Sequence, residues 1–319
     1  SPQQQQSSTV AAADAFDPSS TEIPEHVLVI LQSLKDVMLF RSNYSLLAEK
    51  IDIPAGMSVS ALKRIVGETK SQKFTAQQVA SMKSTVIDMA MTGIFSDNTI
   101  LPILIIGAGD NNENIAVRCD NLIKKLDKIN LEDAQLVNEL FALYTGNKDL
   151  NRSMATESVK VKILQFLCKS VKAANTFPQA KDVIFDTVFA EHAAPKVKAM
   201  GMQFFLWLVN QTTAEAMEKV SVEIFSRLLD TVKALKARKP NSVQERHEVN
   251  SAKENLYVAL GLLGKKFPHF VNEKLHILQL YFDALDTEEP HVKICIMQGL
   301  GSLITAYQNP SPLIKEQME

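Results

Sequence analysis

Two glycines at the end of an apolar run are the first feature with chemical potential. Ile103, Leu104, Ile105 and Ile106 lead into Gly107-Ala108-Gly109-Asp110. In a phosphate-binding turn, glycines in that order let backbone N–H groups approach a pyrophosphate. The third glycine position of such a turn holds Asn112, and no strand–helix alternation surrounds it. The competing reading is a helix that ends in glycines before a polar turn, with Pro102 removing one of its hydrogen bonds. His269, Glu273 and His276 fall at i, i+4 and i+7. On one helix face they would offer three metal ligands, but the order is not H-E-x-x-H, and a solvated face accounts for them as well. Cys119, Cys168 and Cys295 lie far apart with no C-x-x-C, so neither a disulfide framework nor a structural zinc site is expected. The six histidines show no pairing with these thiols that would support Cys–His catalysis. We expect no catalytic residue, no cofactor and no metal. Reduced thiols point to a cytosolic or nuclear protein.

One charged stretch remains. Residues 227–247 carry Arg227, Lys233, Lys236, Arg238, Lys239 and Arg246 against Asp230 and Glu245. Without interleaved aromatics this is no single-strand nucleic-acid platform. It reads as the solvated end of a helix, where cations complement the dipole, or as a contact patch for an acidic protein. The residues that would make the contact are Lys233, Lys236, Arg238 and Lys239. Residues 236–248, with turn chemistry at Pro240-Asn241-Ser242, read as a long insertion loop, either a disordered excursion or a contact loop.

The elements that must carry these residues are helices. The chain has 319 residues, 46% of them hydrophobic, with 34 Lys+Arg against 36 Asp+Glu and only 11 Gly and 12 Pro. That is ample for a core, too balanced for a nucleic-acid groove, and too poor in turn residues for a hairpin-rich β fold. The longest nearly apolar run, residues 100–109, is half of what a membrane span needs, so no membrane insertion is expected. Residues 1–21 are Gln/Ser/Ala-rich and read as a disordered lead-in; the start at Ser1 suggests a slice of something longer.

From Val27 onward apolar residues recur at helical spacing: Val27, Ile30, Leu31, Leu34 and Met38 form one stripe. Thr75-x-x-Gln78, Asn130-x-x-Asp133 and Thr212-x-x-Glu215 read as helix starts, and Gly146 as a helix end. Trp207, within Phe204-Phe205-Leu206-Trp207-Leu208-Val209, reads as core.

The helices repeat. A Val followed by Arg or Lys opens Val117-Arg118, Val159-Lys160, Val197-Lys198 and Val292-Lys293, spaced by about 40 residues or twice that, as in HEAT-type repeats. Gly201 and Gly299, one and two turns after their Val, would permit close helix approach. Phe177-Pro178 and Phe267-Pro268 each precede an amphipathic segment: Val183, Ile184, Phe185 and Val188, then Val271, Leu275, Leu278 and Phe282. A two-helix unit cannot bury both apolar faces alone, so such units stack, and the outermost helices should expose apolar surface. The fold class is all-α: a superhelix of antiparallel helix pairs over residues 22–319.

Beyond the repeat, three stretches point to a family. Gly56-Met57-Ser58-x-x-Ala61-x-Lys63-Arg64-x-x-Gly67 is the first. Ser158-Val159-Lys160-Val161-Lys162-Ile163 with Ala174-x-Thr176-Phe177-Pro178 is the second. Phe267-Pro268-His269 with Leu280-x-Phe282-x-Ala284-Leu285-x-x-Glu288-Glu289-Pro290 is the third. In type and order they resemble the very large HEAT-repeat adaptor and scaffold proteins of the proteasome, over residues 24–308 and within their N-terminal half. Two regions depart from that pattern: residues 45–56 are shorter and 236–248 longer. The resemblance implies a non-enzymatic adaptor that tethers the proteasome core particle to its regulatory particle and takes part in assembly quality control, in cytoplasm and nucleus. The alternative is a general HEAT scaffold that binds extended peptides or other proteins, of transport-receptor or phosphatase-scaffold type.

Overall fold

The computed structural model describes residues 25–39, 75–146, 155–190, 192–272 and 274–307. The expected lead-in over residues 1–21 and the short connection over 45–56 lie outside them. Among the described residues every regular element is helical, and no strand occurs.

Helix starts follow local chemistry. Thr75 and Gln78 form the expected capping box ahead of the helix Ala76–Ala90, and Ser96, Asn112, Asp133, Thr156, Thr213 and Ser242 each cap a helix with a side-chain oxygen. Two of the expected starts shift. Asp133, not Asn130, caps its helix, and Thr213 caps in place of Thr212, whose hydroxyl donates to Ala174 O in the preceding repeat. Pro195 and Pro290 open helices from the first turn, where a missing N–H costs nothing. Gly146 closes the helix Ala134–Thr145 at φ 77, a conformation that favours glycine.

The helices pair antiparallel in two rows. First helices are α1 (Glu25–Met38), α3 (Asp97–Ala108), α5 (Ala134–Thr145), α8 (Gln179–Thr187), α10 (Ala214–Ala237) and α12 (Leu275–Thr287). Second helices are α2 (Ala76–Ala90), α4 (Glu113–Ile123), α6 (Glu157–Leu167), α9 (Pro195–Gln211), α11 (Val243–Lys266) and α13 (Pro290–Ile304), with a one-turn α7 (Val171–Ala174) after α6. Each first helix packs on its own second helix. The second row stacks α2 on α4, α6 on α9, α9 on α11 and α11 on α13; the first row stacks α1 on α3, α3 on α5 and α5 on α8. This is a helical-repeat solenoid, as expected.

The core runs as one continuous apolar layer between the rows, from Leu31 and Leu34 through Phe141, Ile163, Phe204 and Tyr257 to Ile296 and Leu303. Three of the four repeat-marking valines, Val159, Val197 and Val292, are buried in it. Val117 is not: it is 51% exposed, because α4 turns Ile115 and Cys119 inward. Ile30, Met89 and Phe282 likewise face outward, and Leu31, Ile87 and Tyr281 next to them fill the core. Most of each stripe is buried as expected, Leu31, Leu34, Met38, Val79 and Val86 among them, and only members at its edge face outward.

Glycine sets the closest approach. A Cβ on Gly201 would strike Thr187, and one on Gly299 would strike the Tyr257 carbonyl, so both act as expected. Gly261 on α11 meets the backbone of Gly299 itself, and the Tyr281 hydroxyl donates to Tyr257 O at 2.6 Å beside the crossing.

The expected insertion loop over residues 236–248 is not a loop. α10 continues through Ala237 and α11 starts at Val243, so the connection is residues 238–242. Ser242 caps α11 and receives Glu245 N, while Glu245 accepts from Asn241 N at 2.8 Å and from Arg238 at 2.5 and 3.0 Å. The polarity of this stretch belongs to solvated helix turns. The last buried residue of α10 is Val232 and the first of α11 is Val249, so residues 233–248 project as a helical hairpin tip with Val243 84% exposed.

Candidate protein-interaction surface

The turns along one edge of the array hold one another. Asp97 accepts from Asp127 N and Lys128 N at 3.1 and 2.8 Å, and Asn98 accepts from Asn130 N at 2.8 Å. One repeat on, Glu132 accepts from Val171 N and Lys172 N at 2.8 and 2.6 Å, and the Ser170 hydroxyl donates to Leu131 O. One further, Asn175 accepts from Thr213 N at 3.0 Å. Trp207, half-buried against the core, donates its indole N–H to Ser170 O at 2.9 Å. Lys266 then donates to Val209 O and Thr212 O at the end of α9. An acidic or amide side chain on each turn thus takes the free N–H groups of the next, about 1 kcal/mol for each bond.

Helix faces are tied at the same interval. Lys162 meets Asp120, Tyr144 donates to Asp186, and Lys181 meets Glu223, each pair 42 residues apart at 2.7, 2.8 and 2.9 Å. Lys160, the basic residue after a core valine, reaches the same Asp186 at 2.6 Å and lies 4.7 Å from the Tyr144 ring centre. Burial and the Asp186 hydrogen bond push the Tyr144 hydroxyl well above its ordinary range. Lys83–Asp110, Arg118–Asp88 and Lys35–Glu139 add ties near the first repeats. These ties engage charged side chains of one repeat with those of the next.

The basic residues do not act together. Lys236 lies 3.6 Å from Asp283 on α12, and Arg238 is committed to Glu245. Lys233 and Lys239 are exposed at the hairpin tip. Burial, with Lys233 and Lys274 nearby, holds the His276 imidazole below its ordinary range. Sequence reasoning missed this division because Asp283 lies a full repeat away; the Glu245 partner was legible in Ser242-x-x-Glu245 as a helix start.

The other candidates resolve into packing. α3 ends in glycines, as one reading had it, with Pro102 inside it. A Cβ on Gly107 would strike Cys119 Sγ and Met38 Cε, and one on Gly109 would strike Val159, so neighbouring side chains fill the space a phosphate would need. His269 sits in a 3-10 turn (Pro268–Phe270) with its ring centre 4.3 Å from that of Phe270 in a tilted contact, and His276 sits in α12, so they do not share one helix; Glu273 lies outside the described residues. No cluster of His, Cys, Asp or Glu suited to a metal occurs among the described residues, and no described helix is long and apolar enough to cross a membrane. An open cleft of about 510 Å³ lies between the start of α10 and the turn after α11, with Glu215, Glu218, Lys266 and His269 in its wall. Its lysine is turned onto the carbonyls of Val209 and Thr212.

Burial pushes the Cys119 thiol up to about 12, against an ordinary 9.0. The folded thiol therefore keeps its proton where the unfolded one loses it, and stability should fall as pH rises from about 9 toward 12. Iodoacetamide at pH 8 is expected to leave Cys119 unmodified in the native protein and to modify all three cysteines in denaturant, read by peptide mass mapping. Native modification of Cys119 at the denatured rate would contradict this packing.

No solved structure matches the chain. Two curated relatives do. The human protein called Proteasome adapter and scaffold protein ECM29 is 24% identical over 267 residues, which cover 80% of this chain and 14% of that protein. The Drosophila melanogaster protein called Proteasome-associated protein ECM29 homolog is 25% identical over 282 residues, 87% of this chain and again 14% of the relative. Residues 2–319 match the family described as Proteasome component ECM29, N-terminal. A repeat solenoid stitched turn to turn and a family match over nearly its whole length agree: the chain belongs to the N-terminal region of the proteasome component ECM29 family.

Proposed function

We propose that this chain is a non-enzymatic stretch of a proteasome adaptor that helps tether the core particle to the regulatory particle and takes part in assembly quality control, in the cytoplasm and nucleus. The observation that carries the reading is the family match over residues 2–319, together with the relatives' names as proteasome adaptor and proteasome-associated protein. The geometry supports it physically. A tether must hold two bodies at a set separation, and the turn ladder resists the bending that would let that separation drift. Lys233 and Lys239 are exposed on the basic hairpin tip, where they can meet an acidic patch on a proteasome subunit.

Charges of this kind speed encounter more than they deepen affinity. Reversing Lys233 and Lys239 to glutamate in the full-length protein is expected to slow association with purified proteasomes by about tenfold at low salt, the difference vanishing at high salt. Lys236 and Arg238 are left intact because their loss would loosen the hairpin itself. An unchanged rate across ionic strengths would reduce the tip to a solvated turn. Failure of the full-length protein to co-purify with either proteasome particle would overturn the function.

A further inference from the structure

We propose that Ser242 is a phosphorylation site for a basophilic protein kinase, an enzyme that reads a cation three residues before the hydroxyl and an apolar side chain just after it. Of all the serines and threonines in the chain, Ser242 alone has Lys or Arg three positions ahead of it: Lys239, preceded by Arg238. Lys239 is exposed. Val243 follows the serine, and at 84% it is the most exposed large apolar side chain among the described residues. Packing gives no reason for a valine there, since the buried face of α11 begins only at Val249. A pocket on an enzyme that takes the residue after the serine does give one.

A kinase takes its substrate as an extended segment lying in a groove, so the segment must be non-helical and within reach. Residues 238–242 connect α10 to α11, and Arg238 and Ser242 at its two ends both have extended backbone. Ser242 is exposed, and its oxygen accepts one bond, from Glu245 N at 3.0 Å. Only the first turn of α11 has to open for Val243 to leave the helix, and helix ends open more readily than helix centres. Other hydroxyls are less available: Ser170, Thr187, Thr212 and Ser221 are buried. In the transfer, Ser242 Oγ forms a bond to the γ-phosphorus of ATP as the bond from that phosphorus to the β,γ-bridging oxygen breaks. ADP leaves, and the hydroxyl proton passes to the kinase's catalytic carboxylate. Residues 233–248 hold five Lys or Arg against Glu245 and Glu248. A phosphate of about −1.5 to −2 charges therefore offsets roughly half or more of their positive excess. It also competes with Glu245 for Arg238 and Asn241 N. Glu245, three residues after the serine, would suit an acid-directed kinase, but those same two groups already engage it, and the cations ahead of Ser242 oppose such an enzyme.

The test is to incubate the folded 319-residue chain with magnesium-ATP and the catalytic domain of protein kinase A or of protein kinase C, both basophilic, and to map phosphate by peptide mass spectrometry. With at least one of the two, Ser242 is expected to be modified about tenfold faster than any other serine or threonine. Lys239→Ala and Val243→Asp should each slow its modification by about tenfold, with circular dichroism unchanged, because neither side chain packs in the core. Ser242→Ala should remove the principal phosphopeptide. Absence of phosphate on Ser242 with both enzymes would overturn the proposal, as would rates indifferent to Lys239→Ala and Val243→Asp. Faster modification by casein kinase 2, which is directed by acidic residues, would assign the serine to Glu245 and overturn it too.

Discussion

Lys253→Met is expected to destabilise the last two helix pairs by about 3–5 kcal/mol, because it strands a carboxylate in the core. Lys253 donates to both oxygens of Glu288 at 2.8 and 2.9 Å, and the two side chains are only 9% and 8% exposed. The pair joins the middle of α11 to the end of α12, between chain segments 35 residues apart. Its net worth as a pair is small, since desolvation offsets most of the attraction, but removing one member leaves the other's desolvation uncompensated. The double replacement Lys253→Met with Glu288→Gln should therefore recover most of the loss. In a repeat array the effect is local, so hydrogen exchange in α11, α12 and α13 is a better measure than one global unfolding midpoint. Exchange in α2 to α6 should not change. Equal damage from the single and double replacements would show that methionine fails for its shape rather than for the orphaned charge.

Gly299→Val should do comparable harm by the opposite physics, about 3 kcal/mol or more from overpacking. The new side chain would enter the space held by the Tyr257 carbonyl, with the Tyr281 ring 3.1 Å from its Cβ, and backbone cannot move aside as a flexible side chain can. Gly301→Ala, two residues on, is the control. With open space around it, it should gain up to about 1 kcal/mol from helix propensity alone. Urea titrations followed by circular dichroism should show the two changes with opposite sign. A destabilising Gly301→Ala in this 319-residue chain would mean that its face is already packed.

The two glycines differ in a way that one-dimensional pattern does not show. Val292, Ile296, Gly299 and Leu300 form a legible stripe, and Gly299 within it was expected to permit close approach. Gly261 went unnoticed although it is the other half of the same contact, because α11 is long, charged on its outer turns and weakly patterned. The basic stretch failed for a related reason. Pro240-Asn241-Ser242 was read as the middle of a loop, yet Ser242 begins a helix with Glu245 closing the turn against Arg238. A polar helix that extends past its neighbours looks like a loop when polarity is the only guide.

By itself the sequence determined what depends on near neighbours: the all-helical class, the cap at Thr75, the end at Gly146, the repeat of about 40 residues and the family. Each rests on contacts within a turn or two, or on the recurrence of such contacts. Tertiary structure alone decided which way each stripe faces and which charges are spent. A helix in a stacked array is covered by its own partner and by the repeats before and after it, so its buried arc is wider than a two-layer fold requires. Periodicity then locates the arc only to within a residue, which is how Val117 and Phe282 came to face solvent beside Cys119 and Tyr281. The partners that consume Lys160, Lys162, Lys181 and Lys253 lie 26 to 42 residues away. Coulomb attraction acts across space, and only the stacking of one repeat on the next brings those residues together.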